Sequence, residues 1–155
     1  MIAIRRARSS DAAGILGCLG AAFASVKGSY TGEAFSDTIL TIQTVEERLR
    51  SMTLFVAVTD AGKVAGTIGC AKVDEVEGHL RGMAVLPQWQ GTGIASQLLE
   101  QAESELRKMG CRCVTLDTTE PLKRAVQFYT RHGYQATGRV TDFFGMELFE
   151  YSKSL

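Results

Sequence analysis

The stretch Leu80-Arg81-Gly82-Met83-Ala84-Val85-Leu86-Pro87-Gln88-Trp89-Gln90-Gly91-Thr92-Gly93-Ile94-Ala95 decides the fold. Its first half reads as a strand to Leu86, Pro87 stops it, and Gly91 and Gly93 form a turn. Beyond the turn Ala95, Leu98, Leu99, Ala102, Leu106 and Met109 recur at helical spacing, with Gly110 as C-cap. Glycines let a ligand approach closely, and the first turn of a helix offers free N–H groups at the positive end of its dipole. That combination suits a phosphate or pyrophosphate, although Gly-x-Gly alone also serves merely to shape a turn.

Upstream, Ile2 to Arg6 predict a first strand, and Ser9-Ser10-Asp11 offer capping side chains to a helix carrying Ile15, Leu16, Leu19 and Phe23. Lys27 to Gly32 break that helix. A second helical stretch ends with Val45 to Arg50, and the segment between them is expected to be a mobile loop. Leu54 to Val58 and Val64 to Ala71 flank a turn at Asp60 to Lys63 and predict a hairpin. The next strand, Val76 to Leu86, is expected to turn Glu77, His79, Arg81, Met83 and Val85 to one side and Leu80, Gly82, Ala84 and Leu86 to the other.

Downstream, Cys113 to Asp117 form a short buried strand, and Pro121 suits the first turn of a helix through Leu122, Ala125, Val126 and Tyr129 that stops at Gly133. The tail predicts a strand at Tyr134 to Thr137, a loop at Asp142 to Gly145 and a strand at Met146 to Tyr151. Early hairpins followed by alternating strands and helices indicate an α/β domain over residues 1–155, with a mixed sheet covered by helices on both faces.

The 155 residues carry 17 Lys+Arg against 17 Asp+Glu, so no global field favours nucleic acid or an anionic membrane. Charges interrupt the N-terminal stretch where a signal peptide needs apolar residues, and no apolar run approaches 18 residues; a cytoplasmic protein is expected. Cys18, Cys70, Cys111 and Cys113 show no metal-binding spacing among themselves or with His79 and His132, so reduced thiols and no metal are expected.

A dinucleotide site must be weighed, because a strand, Gly91-x-Gly93, a helix and a strand ending in Asp117 imitate its fingerprint. Position 96 is Ser instead of the third Gly, and Pro87 to Gln90 separate the strand from the first one. A P-loop is excluded by the lack of Gly-Lys-Ser/Thr.

Gln90-Gly91-Thr92-Gly93-Ile94-Ala95 resembles the Gln/Arg-x-x-Gly-x-Gly/Ala signature of the GNAT superfamily of N-acetyltransferases. Met83 to Pro87 before it, and Ala125-Val126-Gln127-Phe128-Tyr129-Thr130-Arg131-His132-Gly133-Tyr134 after it, resemble that family's flanking segments. The resemblance implies a GNAT-like fold and transfer of an acetyl group from acetyl-CoA to a primary amine of a small molecule or peptide by direct attack. A CoA-binding sensor or interaction module on the same fold is the alternative. It also implies that Met83, Ala84 and Val85 line the pantetheine arm while Gln90, Gly91, Thr92, Gly93, Ile94, Ala95 and Ser96 hold the pyrophosphate. A backbone N–H near Val85 would then polarise the thioester carbonyl.

By the same resemblance Tyr129 is the acid that protonates the departing thiolate, its reference pKa of about 10 matching that task. Many relatives place a Glu near the position of His79; here His79 or Glu77 on the same face, or a water chain, is the expected base. Where relatives often have Asn this chain has Leu122, so a polar contact to the cofactor is expected either to be lost or to be supplied by Thr118 or Thr119. His132 is read as a helix-end residue suited to the dipole. Tyr30 to Phe35 and Asp142 to Met146 would frame the acceptor, and Asp117 and Asp142 are weak candidates for attracting its ammonium. Members of that superfamily are often dimers, which leaves a homodimer open.

Overall fold

The computed structural model describes residues 1–155. Seven strands form one sheet in the order β1-β2-β3-β4-β5-β7-β6. They are β1 (Ile2–Arg6), β2 (Thr53–Thr59), β3 (Val64–Lys72), β4 (Glu77–Val85), β5 (Cys113–Thr118), β6 (Gln135–Phe143) and β7 (Met146–Ser154). Every neighbouring pair is antiparallel except β4 and β5. A parallel pair needs a long crossover, and the helix α4 (Ile94–Lys108) supplies it. The remaining helices are α1 (Ala12–Phe23), α2 (Gly32–Ile39), α3 (Ile42–Ser51) and α5 (Lys123–Arg131).

The sheet is buried on both faces. Ile68, Leu80, Val85, Val114 and Leu116 meet Leu98, Leu99 and Leu106 of α4 and Tyr129 of α5 on one side; Leu54, Val56, Ala84 and Leu86 meet Ile15 and Leu19 of α1 and Val45 of α3 on the other. Contact with α4 is close because β4 has no side chain at Gly78, where an added Cβ would lie 2.6 Å from Leu106 Cδ2.

The strict alternation expected along β4 fails at one point. Leu80 and Val85 lie in the same core, although simple alternation puts them on opposite faces. The register explains it: Gly69 pairs with Arg81 but Thr67 pairs with Ala84, so β4 carries an extra residue there. Gly82 absorbs this bulge with φ of 64°, a conformation a residue with a Cβ adopts only at a cost.

Other expectations shift as well. The segment between the two expected helices, read as a mobile loop from the break at Lys27 to Gly32 onward, is regular instead: Ala24–Ser29 form a 3-10 turn and Gly32–Ile39 form α2. Thr31 caps α2 through Ala34 N (3.2 Å), and the segment is tied down by Tyr30 Oη to Thr119 Oγ1 (2.6 Å) and by Thr31 Oγ1 donating to Phe144 O (2.8 Å). Asp11 does not cap α1; its carboxylate accepts from both Arg5 guanidinium nitrogens at 2.7 and 2.9 Å and from Arg8 N at 2.7 Å. Helix α5 begins after Pro121, at Lys123. Strands β6 and β7 are longer than expected and turn tightly at Phe144 and Gly145, both at positive φ (49° and 88°), as a two-residue hairpin requires. The helical stretch Ser9–Ser29 is long and apolar enough by length and composition to cross a membrane. In the fold its Ile15, Cys18 and Leu19 pack into the core.

A buried polar knot fixes α4 against the far strands. Glu103 is 4% exposed; its carboxylate accepts from Tyr134 Oη at 2.7 Å and from Lys153 Nζ at 3.0 Å. A buried carboxylate needs all its partners. Tyr134→Phe is expected to lower the unfolding free energy by about 2 kcal/mol in urea titration without changing the slope; a loss below about 0.5 kcal/mol would show that the knot is not stabilising.

Candidate active site

Strands β4 and β5 pair only through Glu77, Gly78 and His79 opposite Cys113, Val114 and Thr115. Beyond His79 they part. From Leu80 to Val85 and from Leu116 to Thr118 each strand keeps its ladder on the other side, with β3 and β7, and leaves the edge facing the fork unpaired. Unpaired strand edges are rows of donors and acceptors ready for an extended, amide-bearing ligand.

The glycine turn stands where β4 ends. None of the backbone N–H groups from Gly91 to Ser96 finds an acceptor within the chain, and Gly93, the N-cap of α4, supplies no side-chain cap. Gly91 and Gly93 take φ of 77° and 88°, and a Cβ at either would meet nothing within 4 Å, so the turn is an open cradle. Gln90 shapes it from below: its Nε2 donates to Val85 O at 3.1 Å and its Oε1 accepts from Arg124 at 3.4 Å. Thr92 Oγ1 donates to Trp89 O. Ser96 Oγ meets His132 Nε2 at 3.2 Å while His132 Nδ1 meets Phe128 O at 2.8 Å, so His132 ties the cradle to α5 besides ending that helix. Ile94 is buried and Ala95 half-buried. Ala84 and Val85 send their side chains into the two opposite cores, and Met83 packs against the α4 side, which leaves their backbone to face the fork.

Two hydroxyls near the fork lack partners. Thr118 Oγ1, at the end of β5, is fully buried and bonds to nothing, whereas the neighbouring Thr119 is committed to Tyr30. Tyr129 is 7% exposed, and its ring stands edge-on to Phe128 and Tyr134 at 5.3 and 5.5 Å. Burial raises its pKa well above the ordinary tyrosine value, so the hydroxyl stays protonated.

The other face of the fork holds a polar relay. His79 Nδ1 lies 2.8 Å from Thr115 Oγ1, which donates to Glu77 Oε2 at 3.0 Å. With its proton spent on Glu77, Thr115 must accept from His79 Nδ1–H, and the basic lone pair of neutral His79 is left on Nε2. That nitrogen points to Asp117 Oδ2 at 3.5 Å. Burial lowers the His79 pKa, with Arg81 adding to the effect, while Asp117, Glu77 and Glu150 oppose it. Burial raises the pKa of Asp117. The structure therefore joins the two expected bases, Glu77 and His79, through Thr115, and sets Tyr129 on the opposite side of the sheet. Thr115 escaped sequence reasoning; its signal was a polar residue alternating with Val114 and Leu116 on the same face as Asp117.

Residues 22–134 match the model of the Acetyltransferase (GNAT) family. The chain belongs to the GNAT family. It is 32% identical over 93 residues to the N-alpha-acetyltransferase MAK3 of Arabidopsis thaliana, covering 57% of this chain and 49% of that one. It is 40% identical over 58 residues to the aminoalkylphosphonate N-acetyltransferase of Salmonella typhimurium, covering 37% and 38%. The chain thus spans about half or less of the length of these curated relatives. The fold superposes on the PaiA N-acetyltransferase of Thermoplasma acidophilum in complex with coenzyme A with a TM-score of 0.82 at 18% identity, covering 100% of this chain and 99% of that one. A GNAT acetyltransferase of Staphylococcus aureus Mu50 gives 0.79 at 18% identity over 100% and 99%. At such identity the likeness shows the fold, in which this GNAT chain places its fork and cradle.

Gly93→Val forces a β-branched residue into the left-handed region at a cost of roughly 1–2 kcal/mol and turns the cradle amides. Calorimetry is expected to show CoA binding weakened at least about tenfold, with far-UV circular dichroism unchanged; equal affinity in the folded variant would remove the cradle from the binding site.

Proposed function

We propose that this GNAT chain is an N-acetyltransferase that moves an acetyl group from acetyl-CoA to a primary amine. The observation that carries this reading is the continuous run of unsatisfied donors from the open edge of β4 to the acceptor-free N–H groups of Gly91 to Ser96. An extended amide chain ending in a pyrophosphate complements such a run, the amides along the edge and the phosphates on the helix N-terminus. Thr118, buried and unpartnered at the same fork, would bond to the arm, in the place that Leu122 cannot fill.

When bound, the thioester supplies an activated acyl carbon. The chain then has two protons to handle. His79 Nε2 takes the proton released from the attacking amine, and Asp117 stabilises the imidazolium that forms, while Glu77 through Thr115 holds the tautomer. Tyr129 gives a proton to the leaving thiolate. Its raised pKa departs from the simple match expected from a free tyrosine, but the desolvation that raises it also raises the basicity of a thiolate formed beside it. The relatives' names differ as an N-alpha-acetyltransferase and an aminoalkylphosphonate N-acetyltransferase do, which supports the amine class and no single member of it.

Purified protein incubated with acetyl-CoA and an amine panel is expected to release CoA with matching N-acetylation by mass spectrometry; tight CoA binding with no acetylated amine would favour a sensor. Tyr129→Phe should lower kcat about 100-fold with the CoA dissociation constant unchanged, and an unchanged kcat would remove Tyr129 from the chemistry.

The base must be neutral to act, and the lowered pKa of His79 puts the acid limb of the kcat profile below about pH 6.5. Asp117→Asn removes a charge that favours the imidazolium, so that limb should move to lower pH. A limb that stays put, or moves up, would contradict the role of Asp117.

A further inference from the structure

The bulge of β4 borders a narrow crevice between the sheet and helices α1 and α3, lined among others by Arg48, Thr67, Gly69, Arg81 and Gly82. Arg48 belongs to the last turns of α3. A cation there suits the helix dipole, yet the Arg48 guanidinium donates no hydrogen bond to the final carbonyls or to any other group. Its Nη1 stands 3.2 Å from where Gly82 would carry a Cβ, so a side chain at the bulge would press the guanidinium aside by a few tenths of an ångström. Arg81 is exposed at the other side of the crevice. Arg5, Arg107 and Arg139 have a carboxylate within 4 Å and the other arginines have none; of these Arg6, Arg8, Arg50, Arg81, Arg112, Arg124 and Arg131 are exposed to water, and Arg48 alone is half-buried. Burial and the charge of Arg81 both press on Arg48, and Asp37 opposes them only from a distance.

A half-buried guanidinium with five donors and no acceptor, set beside a second cation, lacks an anion. Two such forks suit an oxyanion with several acceptor oxygens, held bidentately at the mouth of the crevice where Arg81 is exposed, since the interior, about 10 Å³, has no room for it. The crevice adjoins the fork, and Arg81 also acts on His79 and Asp117. The same side of the sheet therefore presents a cationic pole at Arg48 and Arg81 and an anionic, proton-accepting pole at Asp117 and His79.

We propose that the acceptor is a primary amine that also bears a carboxylate or phosphonate, its anion held by Arg48 and Arg81 and its amine directed to His79 and the fork. This rests on the acetyltransferase reading. Two cations at the entrance repel polyamines and aminoglycosides, whose additional ammonium groups find no partner beside Arg48.

The test compares matched acceptors with acetyl-CoA at saturation: β-alanine against β-alaninamide, 2-aminoethylphosphonate against its diethyl ester, and spermidine. The wild type is expected to show kcat/KM at least about tenfold higher for each anionic member that fits than for its neutral partner, the gain of charge-assisted hydrogen bonds. The larger of the two ratios identifies the anion. In Arg81→Gln, whose site is exposed and tolerant, and in Arg48→Met, that ratio should fall toward one, mostly through KM. Acetylation without preference for the anionic member, preference for spermidine, or a ratio that survives in Arg81→Gln would overturn the assignment while leaving acetyl transfer intact. CoA binding with no amine acetylated would instead overturn the acetyltransferase reading, and this inference with it.

Discussion

Everything at the site depends on β4 being unable to remain a regular strand. Its first three residues pair with β5, and its bulge at Gly82 rotates the rest, so that the two strands separate and expose facing edges in the middle of a sheet. An open edge in a sheet interior is costly unless something pairs with it. The fold places two more unsatisfied elements at the same opening, the cradle of amides from Gly91 to Ser96 and the buried hydroxyl of Thr118. Their convergence on one elongated region is what makes them a site instead of separate irregularities.

The surrounding structure keeps this opening rigid. Helix α4 must present its N-terminus at the end of β4, and it is held by the glycine contacts at Gly66 and Gly78 on one side and by the Glu103 knot with Tyr134 and Lys153 on the other. His132 and Gln90 connect the cradle to α5 and to Val85, so binding there requires little reordering. Across the sheet, the link of Tyr30 with Thr119 and of Thr31 with Phe144 ties the first helices to the far hairpin. Both segments beside the fork are therefore fixed to each other.

Much of this can be read along the chain where local chemistry decides. The strand, proline, glycine turn and periodic helix from Leu80 to Met109 specify the cradle without help from distant residues, and the α/β architecture with its family resemblance follows from them. What escapes is what depends on pairing between distant segments. Nothing in the alternation of Glu77 to Leu86 announces that one residue will be extra against β3, and this slip alone reassigns Leu80 and Val85 to a common core. The same holds for Thr115, whose importance arises from its registry with His79, and for Arg48, which reaches the bulge from a helix far away in sequence. The segment that follows the first helix reads as loop because the glycines and short polar residues from Lys27 to Gly32 are poor helix formers; contacts with Thr119 and Phe144 override that preference.

The most direct test of the central claim is amide hydrogen exchange measured with and without CoA. Protection should rise together along Leu80 to Val85, Leu116 to Thr118 and Gly91 to Ser96, the edges and cradle that lack partners in the chain alone. Protection confined to the cradle, or appearing elsewhere while these segments exchange as before, would contradict the claim that the fork receives the ligand's arm.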